Sequence, residues 1–338
     1  MVLERSRSVL VKYVSTDFKV RFGISCRKER TQGMLIQRRQ FLHMTSVLPL
    51  AGTAVAGGMQ GNLPQENTGR IPVSLSLNAY SFNSLLISGE MSLEKLFRFV
   101  KDTGFQGLDL TAYYIPGYPD VPTDEVLYNI RRMAFRIGLA LTGTGVRNNF
   151  TLADPEQRKQ EKQLVKNWVI AAAKLGIPHV RIFDGTAKPQ GYSREEITDW
   201  LIDDMKECAA YGGRHGVMIS YQNHNNFTTN AAQAIEIIER VNSEWFGLML
   251  DTGSLPEGDS YQQIEQLIPY AVSWQAKELI QVGGTQVKTD FPKLMQIVRR
   301  SGYRGYFPLE TLGEGDPFLK VRKLYREVSS ALHSGSGQ

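Results

Sequence analysis

The feature that most constrains the fold is a regular alternation of short apolar runs with amphipathic stretches, which starts near Ile71. Eight apolar runs each precede a stretch of helical periodicity. The pairs are 73–80 with 92–103, 107–113 with 123–137, 139–146 with 154–175, 179–183 with 193–215, 217–222 with 230–241, 247–251 with 261–268, 272–277 with 290–300, and 305–310 with 316–332. Strands that alternate with helices in this way favour a parallel sheet.

The residues at the ends of the predicted helices agree with this pattern. Glycines, the usual C-terminal caps, follow five of them, and N-capping residue types open five: Gly104, Gly138, Gly176, Gly216 and Gly302, and Ser92, Thr123, Asp154, Ser193 and Asp316. Eight units predict an α/β fold, a single-domain (β/α)8 TIM barrel over residues 71–332, with a tail at 333–338. A doubly wound sheet is the alternative, but no Gly-x-Gly-x-x-Gly follows the first strand.

Polar side chains stand at the predicted carboxyl ends of the strands, where barrels of this type place their chemistry. Two strand-end loops nearly repeat, as Arg147-Asn-Asn-Phe-Thr and His224-Asn-Asn-Phe-Thr. Clustered amides suit a polyhydroxylated ligand, because each offers a donor and an acceptor. We therefore predict that a carbohydrate is bound by Tyr80, Arg147, Asn149, Asn223 and Asn226. The alternative for each asparagine is an Asx turn that starts the loop.

The last four strand ends resemble a known family. The segments are Gln222-Asn-His224, Leu250-Asp251-Thr-Gly-Ser254, Gln275-Ala-Lys277-Glu278 and Gly305-Tyr-Phe-Pro-Leu-Glu310. They are similar to motifs of the xylose-isomerase-like sugar isomerases and epimerases, a superfamily that also contains endonuclease IV. The resemblance spans about residues 72–332. It implies a TIM barrel with its active site at these strand ends.

The resemblance also implies a divalent metal, held by a Glu, an Asp, a His and a Glu. These positions correspond here to Gln222, Asp251, Gln275 and Glu310. Two carboxylates and two amides form an oxygen site suited to Mn, Mg or Ca, and a poor site for Zn. The alternative is that the metal is lost and the two glutamines bind sugar.

The same substitution bears on the mechanism. Family epimerases use two facing glutamates, and Gln222 cannot act as a base. One-base isomerisation, or β-elimination and hydration next to a ketone, therefore fits better than two-base epimerisation. Glu310 would remove the proton, and the metal, or Lys277 and His224, would stabilise the enediolate. His224 as a structural residue and Lys277 as a solvated charge are the alternatives.

Residues 34–56 resemble a twin-arginine export signal. Arg38-Arg39 precedes an apolar run that ends in an Ala-x-Ala pattern at Ala54 and Ala56. We expect cleavage near Ala56, a linker at 57–70 and an exported, periplasmic protein that depends on the twin-arginine export machinery. A short buried helix after a chance Arg-Arg is the alternative. Residues 1–33 fit neither signal nor barrel, which predicts a non-native upstream extension or disorder, with translation starting at Met34.

Net charge and cysteine content limit the binding partners and the disulfides that this chain can have. The whole chain carries a net charge of +5, but residues 1–56 hold ten Lys or Arg against three Asp or Glu, so the rest carries −2. We therefore expect no nucleic-acid partner. Only Cys208 follows the signal, which leaves no disulfide within one mature chain. No later run is apolar enough to span a membrane, and oligomerisation stays open.

Three function classes follow from these observations. The first is a sugar isomerase or epimerase, with a keto-sugar lyase or hydratase as its variant. The second is a sugar-binding barrel without turnover. The third, an endonuclease-IV-like repair enzyme, ranks last because at most four histidines follow the signal and the charge there is negative. Intact Glu310, Lys277 and His224 favour turnover.

Overall fold

The computed structural model describes residues 73–186, 189–224 and 227–334. The predictions for the upstream extension, the signal, the linker and residues 335–338 of the tail lie outside these ranges, as does the predicted sugar ligand Asn226.

Eight parallel strands close into a barrel, which confirms the predicted fold class. In chain order, the barrel strands are β1 (Val73–Asn78), β2 (Gly107–Asp109), β3 (Ala140–Gly145), β4 (His179–Ile182), β5 (Met218–Gln222), β6 (Phe246–Asp251), β7 (Ala271–Lys277) and β10 (Gly305–Glu310). Each strand pairs with its neighbour along the chain, and β10 closes the ring on β1, where Val73 pairs with Gly305. All eight carboxyl ends therefore meet at one mouth.

Helices surround this barrel in the predicted alternation. They are α1 (Asn83–Ile87), α2 (Leu93–Thr103), α3 (Asp124–Arg136), α4 (Pro155–Leu175), α5 (Arg194–Arg214), α6 (Ala231–Val241), α7 (Ser260–Leu267), α8 (Phe291–Ser301) and α9 (Pro317–His333). Short 3-10 helices occupy Ala79–Phe82, Ala112–Tyr114 and Ile268–Tyr270. Among these helices, none combines the length and the apolar character of a membrane span.

The caps explain why the helix bounds match the sequence so closely. Ser193 accepts a hydrogen bond from the Glu196 amide, and the Glu196 carboxylate accepts one from the Ser193 amide, which completes a capping box at α5. Gly176 ends α4 in the left-handed conformation that favours glycine. Thr123 differs, because its side chain makes no capping hydrogen bond to α3.

Two elements depart from the predicted pattern. Strand β2 ends at Asp109, so Tyr113, predicted to end this strand, lies in a 3-10 turn instead. An antiparallel hairpin, β8 (Leu279–Val282) and β9 (Thr285–Lys288), lies between β7 and α8. Its turn is Gly283-Gly284, both with positive φ, as a two-residue hairpin turn of this twist requires.

The barrel separates an apolar layer from a polar interior. Leu75 and Leu77 of β1 are buried in the hydrophobic core. Ser76 lies on the opposite face of this strand and contacts the Thr142 hydroxyl of β3, two strands away, at 2.9 Å. Since β2 stands between them, this contact crosses the inside of the barrel. Polar side chains therefore take part in the packed interior of the barrel beneath the mouth.

Candidate active site

A cavity of about 700 Å³ opens at the carboxyl ends of the strands. Most of the predicted site residues line it: Tyr80, Arg147, Asn149, Gln222, His224, Gln275, Lys277 and Glu310. Asp251 lies beneath this surface and is fully buried. The structure thus gathers residues that the sequence assigns to six separate strand–helix units.

A charged network forms the floor of the cavity. The Nζ of Lys277 lies 2.8 Å from Oδ2 of Asp251 and 3.6 Å from Oε2 of Glu310. Lys277 and Glu310 are paired neighbours on β7 and β10, so their side chains share one face of the sheet. The ammonium group therefore stands between two carboxylates in a nearly dry environment.

Both glutamines at this floor contact a carboxylate. The amide nitrogen of Gln222 donates to Oδ2 of Asp251 at 2.7 Å. Gln275 forms a side-chain hydrogen bond with Glu310. Gln222, Asp251, Gln275 and Glu310 thus converge, as their strand-end positions predict. Each glutamine supports a carboxylate instead of standing free as a ligand.

Burial sets the protonation behaviour of the floor. It raises the pKa of Glu310 above its ordinary value, although the nearby charge of Lys277 lowers it in part. Burial disfavours the charge of Lys277, but attraction by Asp251 and Glu310 is stronger overall, so the pKa of Lys277 is raised. Lys277 therefore stays protonated near neutral pH, whereas Glu310 accepts a proton more readily than an ordinary glutamate does.

His224 stands at the rim beside this network. Its ring meets that of Phe183 edge to face, with the centroids 5.1 Å apart. Burial, together with the charges of Lys277 and Arg181, lowers the pKa of His224 against the opposing pull of Asp251. The imidazole is therefore neutral near pH 7 and can both donate and accept a proton.

Asn223 does not reach the cavity, which corrects its predicted role as a sugar ligand. Its side chain is fully buried. The amide nitrogen donates to the Asp251 carbonyl at 3.0 Å, and the amide oxygen accepts from the Asp251 backbone N–H at 2.9 Å. Both polar groups are used, so Asn223 fixes the end of β6 and with it the Asp251 side chain.

Asn149 behaves largely as the Asx-turn alternative describes. Its side-chain oxygen accepts from the backbone and the hydroxyl of Thr151, at 3.2 and 2.8 Å. Its amide nitrogen donates to the Thr186 hydroxyl at 3.1 Å. The side chain lines the cavity, but its main contacts shape the loop after β3.

Several residues that the sequence analysis left unassigned belong to this site. Arg181 of β4 lines the cavity while only 7% exposed. Below it, Nε2 of His179 and Oδ2 of Asp109 are buried without a hydrogen-bond partner. A Cβ on Gly143 would lie 2.5 Å from the first atom and 2.8 Å from the second, so both border one gap. The sequence feature that could have assigned these polar residues to the site is their position on the predicted strands.

Asp184, in the loop after β4, is hydrogen-bonded to the loop after β5 and to β5 itself. Its carboxylate accepts from the backbone of Gly185 at 2.7 Å and of Thr228 at 2.9 Å, and from the Tyr221 hydroxyl at 3.3 Å. Burial raises its pKa to about 6, although these hydrogen bonds act in the opposite direction. Asp184 is fully buried and therefore supports the rim of the cavity.

The sequence profile of the xylose isomerase-like TIM barrel family matches residues 97–332, more than half of the chain. The chain belongs to this family. No curated protein sequence matches it.

Solved structures of similar fold agree with the family. A 3-keto-D-glucoside 4-epimerase from E. coli superposes with a TM-score of 0.63 at 14% identity, covering 76% of this chain and 99% of its own. D-psicose 3-epimerase from Clostridium cellulolyticum H10, solved with D-tagatose, gives a TM-score of 0.60 at 16% identity, covering 78% and 96%. A xylose isomerase domain protein from Planctomyces limnophilus gives 0.62 at 13% identity, covering 80% and 99%. At these identities the likeness concerns the fold.

The divalent metal expected from the family resemblance does not fit this arrangement. A metal bound by Gln222, Asp251, Gln275 and Glu310 would have to displace an ammonium group from between the two carboxylates. It would also require the Gln222 amide, which directs its nitrogen at Asp251, to turn around. In the described ranges, no group of three or more His, Cys, Asp or Glu side chains could hold a metal ion.

Proposed function

We propose that this family member is an enzyme that moves a proton on the carbon next to the carbonyl of a sugar or keto-sugar. The observation that carries the proposal is the pairing of Glu310 with Lys277 at the floor of the cavity, 3.6 Å apart. One group is a buried carboxylate with a raised pKa, and the other is a partly buried cation. A base and an oxyanion partner side by side are what enolisation requires.

In the proposed reaction, the Glu310 carboxylate takes the proton from the carbon next to the carbonyl. The electrons of the broken C–H bond form a C=C bond, and the carbonyl oxygen becomes negative. The ammonium of Lys277 stabilises this oxygen by charge and hydrogen bonding. Glu310 then returns its proton to the neighbouring carbon, while a hydroxyl proton moves between the two oxygens. His224, neutral and at the rim, is placed for that second transfer.

This arrangement favours isomerisation over two-base epimerisation. The position that corresponds to the second glutamate of the family epimerases is Gln222, whose amide is bonded to Asp251. An amide cannot take or return a proton near neutral pH. The same single base would also serve a β-elimination, in which the enediolate expels a hydroxyl group from the next carbon.

The experiment is a substrate screen in D₂O followed by NMR. Aldoses, ketoses and keto-sugars are incubated with purified protein that has been treated with a chelator. We expect at least one sugar to exchange the hydrogen next to its carbonyl, with an isomerised or dehydrated product. Activity that appears only when Mn²⁺ or Mg²⁺ is restored would contradict the role of Lys277. Tight sugar binding without any exchange would favour a non-catalytic binding barrel.

A further inference from the structure

Two arginines form one wall of the cavity, and both contact the same aromatic ring. Arg147 follows β3, and its guanidinium carbon lies 4.2 Å from the centroid of Tyr113. Arg181 belongs to β4, with its guanidinium carbon 5.6 Å from that centroid. Both line the cavity together with Tyr113.

Arg181, the buried arginine of this pair, is held in place by two hydrogen bonds and by the space that a glycine leaves. The Nη1 of Arg181 donates to the Val146 carbonyl at 2.7 Å, and Nη2 donates to the Tyr113 hydroxyl at 2.5 Å. Gly145 leaves the space, because a Cβ there would lie 2.7 Å from the guanidinium carbon. Burying a cation is costly unless it is compensated. Among the described residues, the hydrogen bonds and ring contacts of this guanidinium are all with neutral groups, namely Val146, Tyr113 and Phe183.

The exposed member extends the same charge toward solvent. The Arg147 backbone N–H donates to the Tyr118 hydroxyl at 2.9 Å, which fixes the loop. Its guanidinium is held by stacking on Tyr113. Neither Arg147 nor Arg181 forms an ion pair with a carboxylate of the described residues, unlike Arg158 or Arg240.

The charges that line the cavity do not balance. Arg147, Arg181 and Lys277 face one lining carboxylate, that of Glu310. Lys277 is already compensated by Asp251 beneath it. Burial raises the pKa of Asp109 to about 7, although the charge of Arg181 lowers it in part, so Asp109 is a weak counter-charge for Arg181. The arginine wall therefore carries an excess positive charge toward the ligand.

We propose that the substrate is an acidic sugar, whose carboxylate or phosphate is bound by Arg147 and Arg181. The guanidinium groups offer the paired donors that planar anions accept. The sugar carbonyl then lies toward Lys277 and Glu310, on another side of the same cavity. This inference rests on the proposed function for the position of the carbonyl, but the anion site itself is tested by binding alone.

The experiment compares matched ligands by titration calorimetry. D-glucuronate, D-galacturonate and 5-keto-D-gluconate are compared with D-glucose, D-galactose and D-fructose, with D-glucose 6-phosphate and inorganic phosphate as a second arm. We expect the acids to bind at least about tenfold more tightly than the neutral sugars, and the preference to weaken at high salt. Tighter binding of the phosphate ester would identify phosphate as the acidic group.

Arg147→Gln is the decisive variant, because Arg147 is exposed and its loss spares the core. We expect it to lose the preference for acids by about tenfold while it still binds neutral sugars. Arg322→Gln is the matched control: Arg322 is an exposed arginine that stacks on Phe99 at 4.8 Å, outside the cavity. Equal affinity for acids and neutral sugars, an unchanged preference in Arg147→Gln, or no binding of any acid at millimolar concentration overturns the inference.

Deuterium exchange separates this inference from the proposed function. Arginine-dependent binding of acids without hydrogen exchange would leave the anion site standing and remove the proposed reaction. Exchange with neutral sugars and no preference for acids would leave the reaction standing and remove the anion site.

Discussion

The Nζ of Lys277 lies 2.8 Å from Oδ2 of Asp251, where β7 and β6 end side by side. Asp251 is fully buried, so this ion pair is shielded from water at the floor of the mouth. The pair places a permanent positive charge at the position where the family resemblance implies a metal. In the proposed reaction, the ammonium group of Lys277 supplies the positive charge that a metal ion would otherwise supply.

Removing that cation should damage both stability and chemistry. Lys277→Met would leave Asp251 and Glu310 buried without their counter-charge, which costs about 3–5 kcal/mol in such pairs. Urea unfolding measures the loss, and the exchange assay measures the activity. Lys288→Met is the control, since Lys288 pairs with Glu327 at the surface and should lose less than about 1 kcal/mol. Equal costs for the two variants would contradict the buried network.

Asp109 should make stability fall with rising pH. Burial raises its pKa from 3.8 to about 7, against the pull of Arg181. The folded state therefore binds a proton that the unfolded state has released between these values. The contribution of Asp109 to the free energy of unfolding is complete below pH 3.8. It decreases by about 1.4 kcal/mol per pH unit as the pH rises to about 7.

Asp109→Asn should make this slope shallower, as urea unfolding across the range measures. Some slope remains, because burial also raises the pKa of Asp184 and of Glu310. Asp102→Asn, at an exposed aspartate of α2, is the control and should keep the slope. A pH dependence in Asp109→Asn that matches the wild type would show that another group is responsible.

Asn223 should act through Asp251 and not through the ligand. Asn223→Ala removes both hydrogen bonds to the Asp251 backbone and leaves buried polar groups unpaired, at a cost of about 1–3 kcal/mol for each. We expect a lower kcat with little change in KM for the sugar. Asn167→Ala, on the exposed face of α4, should change neither. A rise in KM alone would return Asn223 to the sugar-binding set.

Sequence periodicity and caps were enough to predict the barrel. Apolar runs and capping residues are local, so the bounds of α4 and α5 lie within a residue or two of the predicted ones. The hairpin at 279–288 was missed although Gly283-Gly284 between two alternating runs is its signal. The predicted strand–helix alternation left this connection unassigned.

The sequence predicts where the site residues lie better than it predicts which neighbours they contact. A strand-end position predicts which residues meet at the mouth, and Glu310, Lys277 and His224 do line one cavity there. It does not indicate which neighbour a side chain bonds to. Asn223 lies buried against Asp251, and Arg181 reaches the cavity, because strand tilt and neighbouring side chains decide such contacts.

The N-terminal segment leads to a separate proposal about location, outside the described residues. Changing Arg38 and Arg39 to Lys should retain the precursor in the cytoplasm, because the paired arginines are the distinctive feature of the signal. Cell fractionation with immunoblotting measures this. A control that changes Lys95 to Arg, at an exposed lysine of α2, should be exported normally. Periplasmic recovery of the double variant would contradict the twin-arginine interpretation.

The central claim is that Glu310 removes the proton next to a sugar carbonyl, and deuterium incorporation from solvent tests it most directly. The wild type should place deuterium on that carbon of its substrate in D₂O, as NMR reports. Glu310→Gln should still fold and bind the sugar, because the amide keeps the size and hydrogen-bonding reach of the carboxylate, but its exchange should vanish. Exchange at the wild-type rate in Glu310→Gln would contradict the claim and move the base to another residue.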